Sequence, residues 1–132
     1  MNAAWEAASK GGDVQTIRDF LARGADIDAR DCYGQTALML AAHAGHSPVV
    51  ETLIAQRADL DVTAKFGLSA LMLAIIAGHV EIAHLLAKAG ADLSLTGSGA
   101  PGFAGMTAYD LALARGMRGL SAELEGKPLV GM

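Results

Sequence analysis

Gly34-Gln35-Thr36-Ala37-Leu38-Met39-Leu40-Ala41 returns thirty-three residues later as Gly67-Leu68-Ser69-Ala70-Leu71-Met72-Leu73-Ala74. The echo continues outward on both sides. Ala44-Gly45-His46 matches Ala77-Gly78-His79, and Ala58-Asp59-Leu60 matches Ala91-Asp92-Leu93, so that 14 of the 33 residues from Asp31 to Thr63 are identical, without a gap, to those from Ala64 to Thr96. A period of 33 residues is the mark of a stacked array in which each unit is one supersecondary element.

The pattern reaches past both copies. Ala8, Gly12 and Gly24-Ala25-Asp26-Ile27-Asp28 stand one period before Ala41, Gly45 and Arg57-Ala58-Asp59-Leu60-Asp61. Downstream, Gly105-Met106-Thr107-Ala108-Tyr109-Asp110-Leu111-Ala112 repeats Gly67 to Ala74 at an offset of 38. Five extra residues therefore precede the last unit, and the flexible stretch Gly97-Ser98-Gly99-Ala100-Pro101-Gly102 is their expected place. One domain of four units follows, at about 1–30, 31–63, 64–96 and 97–125, with a tail at 126–132.

Each unit reads as two helices and an extended turn. Thr36, Ser69 and Thr107 each precede an apolar run and suit an N-cap, where a short oxygen side chain accepts from an orphaned backbone N–H. Gly12, Gly45, Gly78 and Gly116 suit the left-handed residue that ends such a helix. Ser47-Pro48 starts a second helix, because proline tolerates the first turn, and Val49, Val50, Leu53 and Ile54 give it an apolar stripe that Ile82, Leu85 and Leu86 repeat.

On these residues the chain resembles the ankyrin-repeat family over roughly positions 3 to 125. The family's opening Asp-x-x-Gly-x-Thr-Pro-Leu-His-x-Ala appears as Asp31-Cys32-Tyr33-Gly34-Gln35-Thr36-Ala37-Leu38-Met39-Leu40-Ala41, and its closing Gly-Ala-Asp as Gly24-Ala25-Asp26 and Gly90-Ala91-Asp92. The resemblance implies an all-α solenoid of helix-turn-helix units with β-turn fingers, two full repeats flanked by two capping repeats. Three departures carry expectations. Met39 and Met72 replace the family histidine and should pack between units as pliable apolar filler. Ala37 and Ala70 replace its proline. Arg57 stands where Gly24 and Gly90 stand, at a left-handed position that costs a non-glycine residue roughly 1 kcal/mol. Related arrays are hydroxylated at a turn asparagine, but the one asparagine here is Asn2, outside any such turn.

The terminal units should act as caps, since an end unit has no outer neighbour. Asp19 takes the place of Leu85, and Glu123 and Glu125 take the places of Leu85 and Ala87, so each end is expected to present a polar outer face.

Composition narrows the function. The net charge is −4, and the ten basic residues are scattered, with no stripe of phosphate-neutralising charge; nucleic acid and anionic membranes are both disfavoured partners. The apolar run from Ala70 to Ala77 is far shorter than the roughly 20 residues of a membrane span, and the N-terminus with Glu6 lacks a secretory pattern, so a cytoplasmic location is expected. Cys32 is the only cysteine, which excludes an internal disulfide.

Residues that suggest chemistry have plainer explanations. Gly97-Ser98-Gly99-Ala100-Pro101-Gly102 spells a dinucleotide fingerprint but sits in an inserted turn, without the strand before it and helix within it that bind pyrophosphate. His43 with His46, and His79 with His84, have short spacings, yet His46 and His79 are equivalent by the repeat and resemble the family's turn histidine, a local hydrogen-bonding residue. A zinc site needs three or four convergent ligands. Cys32 with His43 as nucleophile and base has nothing nearby to orient the histidine. Asp26, Asp59 and Asp92 recur because they build one turn three times. No catalytic residue, cofactor or metal is expected.

What remains is surface. In arrays of this family the turn tips and the exposed side of the first helices line a concave groove. The matching positions are Cys32, Tyr33, Gln35, His43 and Ala44; Lys65, Phe66, Leu68, Ile76 and Ala77; and Phe103, Met106 and Arg115. Tyr33 and Phe66 lie one period apart and should stand side by side, with Leu68, Ile76 and Met106 completing an apolar patch unusual for turn tips. The expected function is a non-catalytic module that binds a protein partner through this groove, as a monomer, in the manner of small bacterial ankyrin adaptors. Two alternatives stand beside it: a toxin-neutralising immunity or enzyme-inhibitor protein, and self-association through the same patch. The insertion from Gly97 to Gly102 could instead fold over the patch.

Overall fold

A computed structural model of the chain describes residues 2–98 and 104–124, and among them it holds eight helices and no strand. The helices form four pairs: α1 (Ala3–Gly11) with α2 (Val14–Ala22), α3 (Ala37–Ala44) with α4 (Ser47–Ala55), α5 (Ala70–Ala77) with α6 (Val80–Lys88), and α7 (Ala108–Ala114) with α8 (Arg118–Leu124). The first helices stack α1 on α3 on α5 on α7, and the second helices stack α2 on α4 on α6 on α8 in an outer row. Such helices are too short to persist alone in water, so lateral stacking is what keeps them folded.

Local sequence starts and stops the inner row as its residues predict. The hydroxyls of Thr36, Ser69 and Thr107 accept from the backbone N–H groups of Met39, Met72 and Asp110 at 3.4, 3.3 and 3.2 Å. Thr107 goes further. Its own N–H donates to the Asp110 carboxylate at 3.0 Å, which closes a capping box. Asn2 caps α1, its side-chain oxygen accepting from Ala4 N–H at 2.8 Å. Gly12, Gly45 and Gly78 end α1, α3 and α5 in the left-handed conformation, whereas α7 ends one residue before its glycine, at Arg115.

Burial follows the binary pattern and shows where the units meet. Every residue of α3 from Ala37 to Ala42 is buried, and so are Ala70, Leu71, Met72, Ala74 and Ile75 of α5. Helices covered all round lie in the middle of a stack. Met39 and Met72 are each 1% exposed, the between-unit packing expected of them. In the outer row Val49, Val50 and Leu53 of α4, with Ile82 and Leu86 of α6, face the core, while Ile54 and Leu85 are half-buried. Trp5 closes the core beneath α1 and meets Phe20 edge-on at 5.9 Å between centroids.

The recurring polar residues are ties between units. The Nε2 of His46 makes a 2.8 Å hydrogen bond with the Lys10 carbonyl, and the Nε2 of His79 one of 3.2 Å with the His43 carbonyl, each reaching the preceding unit. The hydrogen bonding expected to be local to one turn thus joins two units. Each ring lies flat against the glycine that ends the preceding inner helix, so a Cβ on Gly12 would stand 2.7 Å from His46 Nδ1, and one on Gly45 2.8 Å from His79 Cε1. Met117 replaces this histidine in the last unit, and nothing lies within 4 Å of a Cβ on Gly78. The carboxylates work similarly. Asp26, Asp59 and Asp92 accept from the backbone N–H two residues on at 2.9 to 3.0 Å, building one turn three times. Asp28 and Asp61 reach forward, accepting from the N–H groups of Asp59 and Asp92 at 2.9 and 2.7 Å.

One expectation about the ends changes and one holds. Asp19 is exposed and accepts from Gln15, as a polar end should. Glu123, however, turns inward along the stack, its carboxylate 2.5 Å from Nδ1 of His84 on α6. It replaces Leu85 at a position facing the previous unit. Glu125 and the tail lie outside the described residues.

Three outcomes follow from these contacts. Gly45→Ala should destabilise the protein by about 2–3 kcal/mol, combining left-handed strain with overpacking on His79, whereas Gly78→Ala should cost only about 1–2 kcal/mol. Urea unfolding of both, and of Gly45→Ala in a His79→Ala background where the gap closes, measures the difference. Arg57 adopts φ 65° as its position requires, so Arg57→Gly should raise stability by about 0.5–1 kcal/mol in the same assay. Hydrogen bonds from the Ser94 hydroxyl, and then from its N–H, hold the Asp92 carboxyl below the ordinary carboxylate range. A depressed folded pKa stabilises above the unfolded value and loses that contribution as pH falls through the folded one. The urea midpoint should therefore drop below about pH 4, and by less in Ser94→Ala.

Candidate interaction surface

Three finger turns link the helix pairs, and backbone pairing shows that they are equivalent. The N–H of Asp31 donates to the Gln35 carbonyl at 2.9 Å, that of Ala64 to Leu68 at 3.0 Å, and that of Gly97 to Met106 at 2.9 Å. Inside each, Gly34, Gly67 and Gly105 donate to the carbonyls of Asp31, Ala64 and Gly97 at 3.0 Å. The third finger keeps both bonds although its sequence is longer, so the five extra residues fall in sequence between Gly97 and Gly105. This agrees with the composition of that stretch.

The first two fingers differ in what holds them. The Asp31 carboxylate accepts from the N–H groups of Tyr33 at 2.9 Å and Gln35 at 2.8 Å, an Asx turn that fixes the tip. The second finger carries Ala64 there and has no such acceptor. Its tip instead forms a single 3-10 turn, Lys65–Gly67, in which Phe66 takes φ 66°, ψ 18°. A left-handed phenylalanine is strained by about 1–2 kcal/mol, and such strain is characteristic of segments shaped for contact. Neighbours hold it in place. The Phe66 carbonyl accepts from Ser98 N–H at 2.6 Å, and a Cβ on Gly67 would meet the Thr96 carbonyl at 3.0 Å. Nothing in the spacing of the sequence signals this backbone state; the missing carboxylate at position 64 is the clue it offers.

Tyr33 and Phe66 come together as the repeat requires. They share the walls of a shallow pocket of about 180 Å³ with Gln35, Ala64, Lys65, Leu68 and Leu73. Tyr33 is 63% exposed and Phe66 38%, both large for residues of this kind. The ammonium of Lys65 lies 5.1 Å from the centre of the Phe66 ring, a cation–π contact that braces the ring at the tip.

The remaining predicted site residues divide by burial. Cys32 and Ala44 are exposed, as are His43 in the last turn of α3 and Arg115 at the end of α7. Gln35, Ile76, Ala77 and Met106 are half-buried. Leu68 departs from expectation: it is 7% exposed and belongs to the core, so it floors the pocket rather than extending an outer patch. Phe103 lies outside the described residues, as do positions 99–102 of the stretch expected to fold over the patch. Cys32 lies in the first finger turn, before α3, and His43 in the last turn of that helix, and no hydrogen bond joins their side chains among the described residues.

A larger depression, of about 540 Å³, lies on the outer row where α4, α6 and α8 adjoin, lined by Ser47, Glu51, Val80, Glu81, His84, Leu85, Leu120 and Glu123 among others. The repeat pattern does not reveal it, because that pattern places Glu123 at the outer end and marks the outer helices only by their buried stripe. Val80, which repeats Val14 at the position of Ser47, is 44% exposed at the depression's edge.

Comparison with known proteins agrees with this architecture. A family model for ankyrin repeats, in three copies, matches residues 4–96. Two ankyrin repeat proteins of Rickettsia felis are each 41% identical over 46 residues, which is 35% of this chain and 73% and 70% of the relatives. The pair α7–α8 lies beyond the matched range but keeps the finger bonds and the N-cap of the units before it. With three matched repeats, the stacked helix pairs and the finger turns between them, the chain belongs to the ankyrin-repeat family.

Proposed function

We propose that this protein is a non-catalytic interaction module that binds a protein partner on the side formed by the fingers and the exposed face of α3, α5 and α7, with Tyr33 and Phe66 as the anchors. Protein–protein interaction is the general role of ankyrin repeats, and this chain's finer reading rests on one observation: two aromatic rings, one period apart, stand exposed over the same pocket. Aromatics at the centre of an interface dominate binding energy because they bury large area with few rotatable bonds. Gln35, Lys65, Cys32, His43 and Arg115 supply the polar rim, with Ile76 and Met106 as half-buried apolar ground between. Leu68 supports the pocket from below. Phe103, expected in the same surface from the sequence, lies outside the described residues.

The polar groups that could suggest chemistry are engaged in architecture. His46 and His79 bond carbonyls of the preceding unit, and the repeated aspartates hold turns. Recognition through burial needs no proton transfer and no cofactor. Among the described residues no helix is long and apolar enough to cross a membrane.

The test is quantitative capture from an extract of the native cell with the wild-type protein, the Tyr33→Ala, Phe66→Ala double variant, and an Arg18→Ala control exposed on α2. The double variant should lose at least about 30-fold in affinity for a specific partner, roughly 2 kcal/mol, with an unchanged circular dichroism spectrum. Equal recovery by both, with folding intact, would sink the proposal.

A further inference from the structure

The outer-row depression between α4, α6 and α8 has a chemistry of its own. Val80, Leu85 and Leu120 give it an apolar floor, and Val80 is 44% exposed although it is a branched aliphatic residue. Its rim carries Glu51, Glu81 and Glu123 and no lysine or arginine. Glu123 is engaged by His84, but neither Glu51 nor Glu81 forms an ion pair among the described residues. Like charges gathered around an apolar floor repel one another, and an incoming cation relieves that repulsion.

The shape selects among cations. A second depression of about 290 Å³ adjoins the first, lined by Gly45, Ser47, Gly78, His79, Val80, Glu81 and Ile82. The two share Ser47, Val80 and Glu81, so together they form a groove running from the helix-turn-helix corners to α8. An elongated groove fits an extended chain better than a compact molecule. Glu81 has a structural role as well, since a carboxylate in the first turn of α6 complements the helix dipole; that role leaves its outer oxygens free to accept.

We infer that this groove is a second protein-docking site, which takes a basic segment of a partner with an arginine or lysine among Glu51, Glu81 and Glu123 and an adjacent aliphatic side chain on Val80, Leu85 and Leu120. It lies on the opposite row from Tyr33 and Phe66 and stands independently of that site. An array with both would join two partner segments on its two sides, or clasp one partner from both.

A random dodecapeptide phage library selected on the Tyr33→Ala, Phe66→Ala variant tests this with the finger site silenced. Enriched peptides should contain arginine or lysine beside leucine, isoleucine, valine or methionine. Synthesised, they should shift the backbone amide resonances of Glu51, Val80, Glu81, His84 and Leu85 in ¹⁵N spectra of the wild-type protein, and should bind about tenfold or more weakly to a Glu51→Gln, Glu81→Gln, Glu123→Gln variant of unchanged circular dichroism. Lack of enrichment, enriched peptides without a basic residue, or undiminished binding to the glutamine variant would each overturn the assignment. So would a dimer, seen by sedimentation, that the glutamine substitutions dissolve, since a second copy of the chain would then occupy the groove.

Discussion

Burial of each inner helix between its two neighbours is the constraint from which the rest of this structure follows. A helix of eight residues such as α3 or α5 closes too few hydrogen bonds to offset the entropy of ordering its backbone. It becomes stable only when both flanks are covered, which explains why α3 is buried from Ala37 to Ala42 and why alanine is so frequent in it. Small side chains let adjacent helices approach closely, while Leu38, Met39, Leu71, Met72 and Ile75 fill the space that remains. Stability is then a sum of neighbour-to-neighbour terms, and the end units must be completed from one side only.

Polar ties repeat with the same period because they serve the same stacking. His46 and His79 each lie across a left-handed glycine of the preceding unit and bond a carbonyl left unpaired where that inner helix ends. Asp28 and Asp61 join consecutive turns on the far side. In the last unit the histidine gives way to Met117 and the capping box of Thr107 and Asp110 strengthens the start of α7. The stack is thus tied at two heights along each unit, which orients the fingers and the outer helices relative to one another.

Positions relieved of these duties carry the individuality of the protein. The fingers share a backbone frame, so what differs among them is the tip: an aspartate-clamped turn at Tyr33, a strained left-handed turn at Phe66, and an insertion in the third. The outer helices differ likewise. Equivalent positions hold Ser47 and Val80, Glu51 and His84, Leu85 and Glu123, and these unlike side chains line the groove between neighbouring outer helices.

Period, capping hydroxyls, glycine stops and the apolar stripes were all legible in the chain, because each is a local rule repeated: a residue type at a fixed offset asks for one backbone state regardless of what lies far away. The same holds for the left-handed Arg57, for the buried methionines, and for the pairing of Tyr33 with Phe66 across one period. Tertiary structure decided what depends on two units at once. It sent the histidine rings back to the preceding unit, sank Leu68 into the core and turned Glu123 toward His84. It also bent Phe66 into a left-handed turn held by Ser98, and opened the groove along the outer helices. Those outcomes turn on distances between residues far apart in sequence, which the 33-residue spacing brings close but whose side-chain partners only the stacked geometry selects.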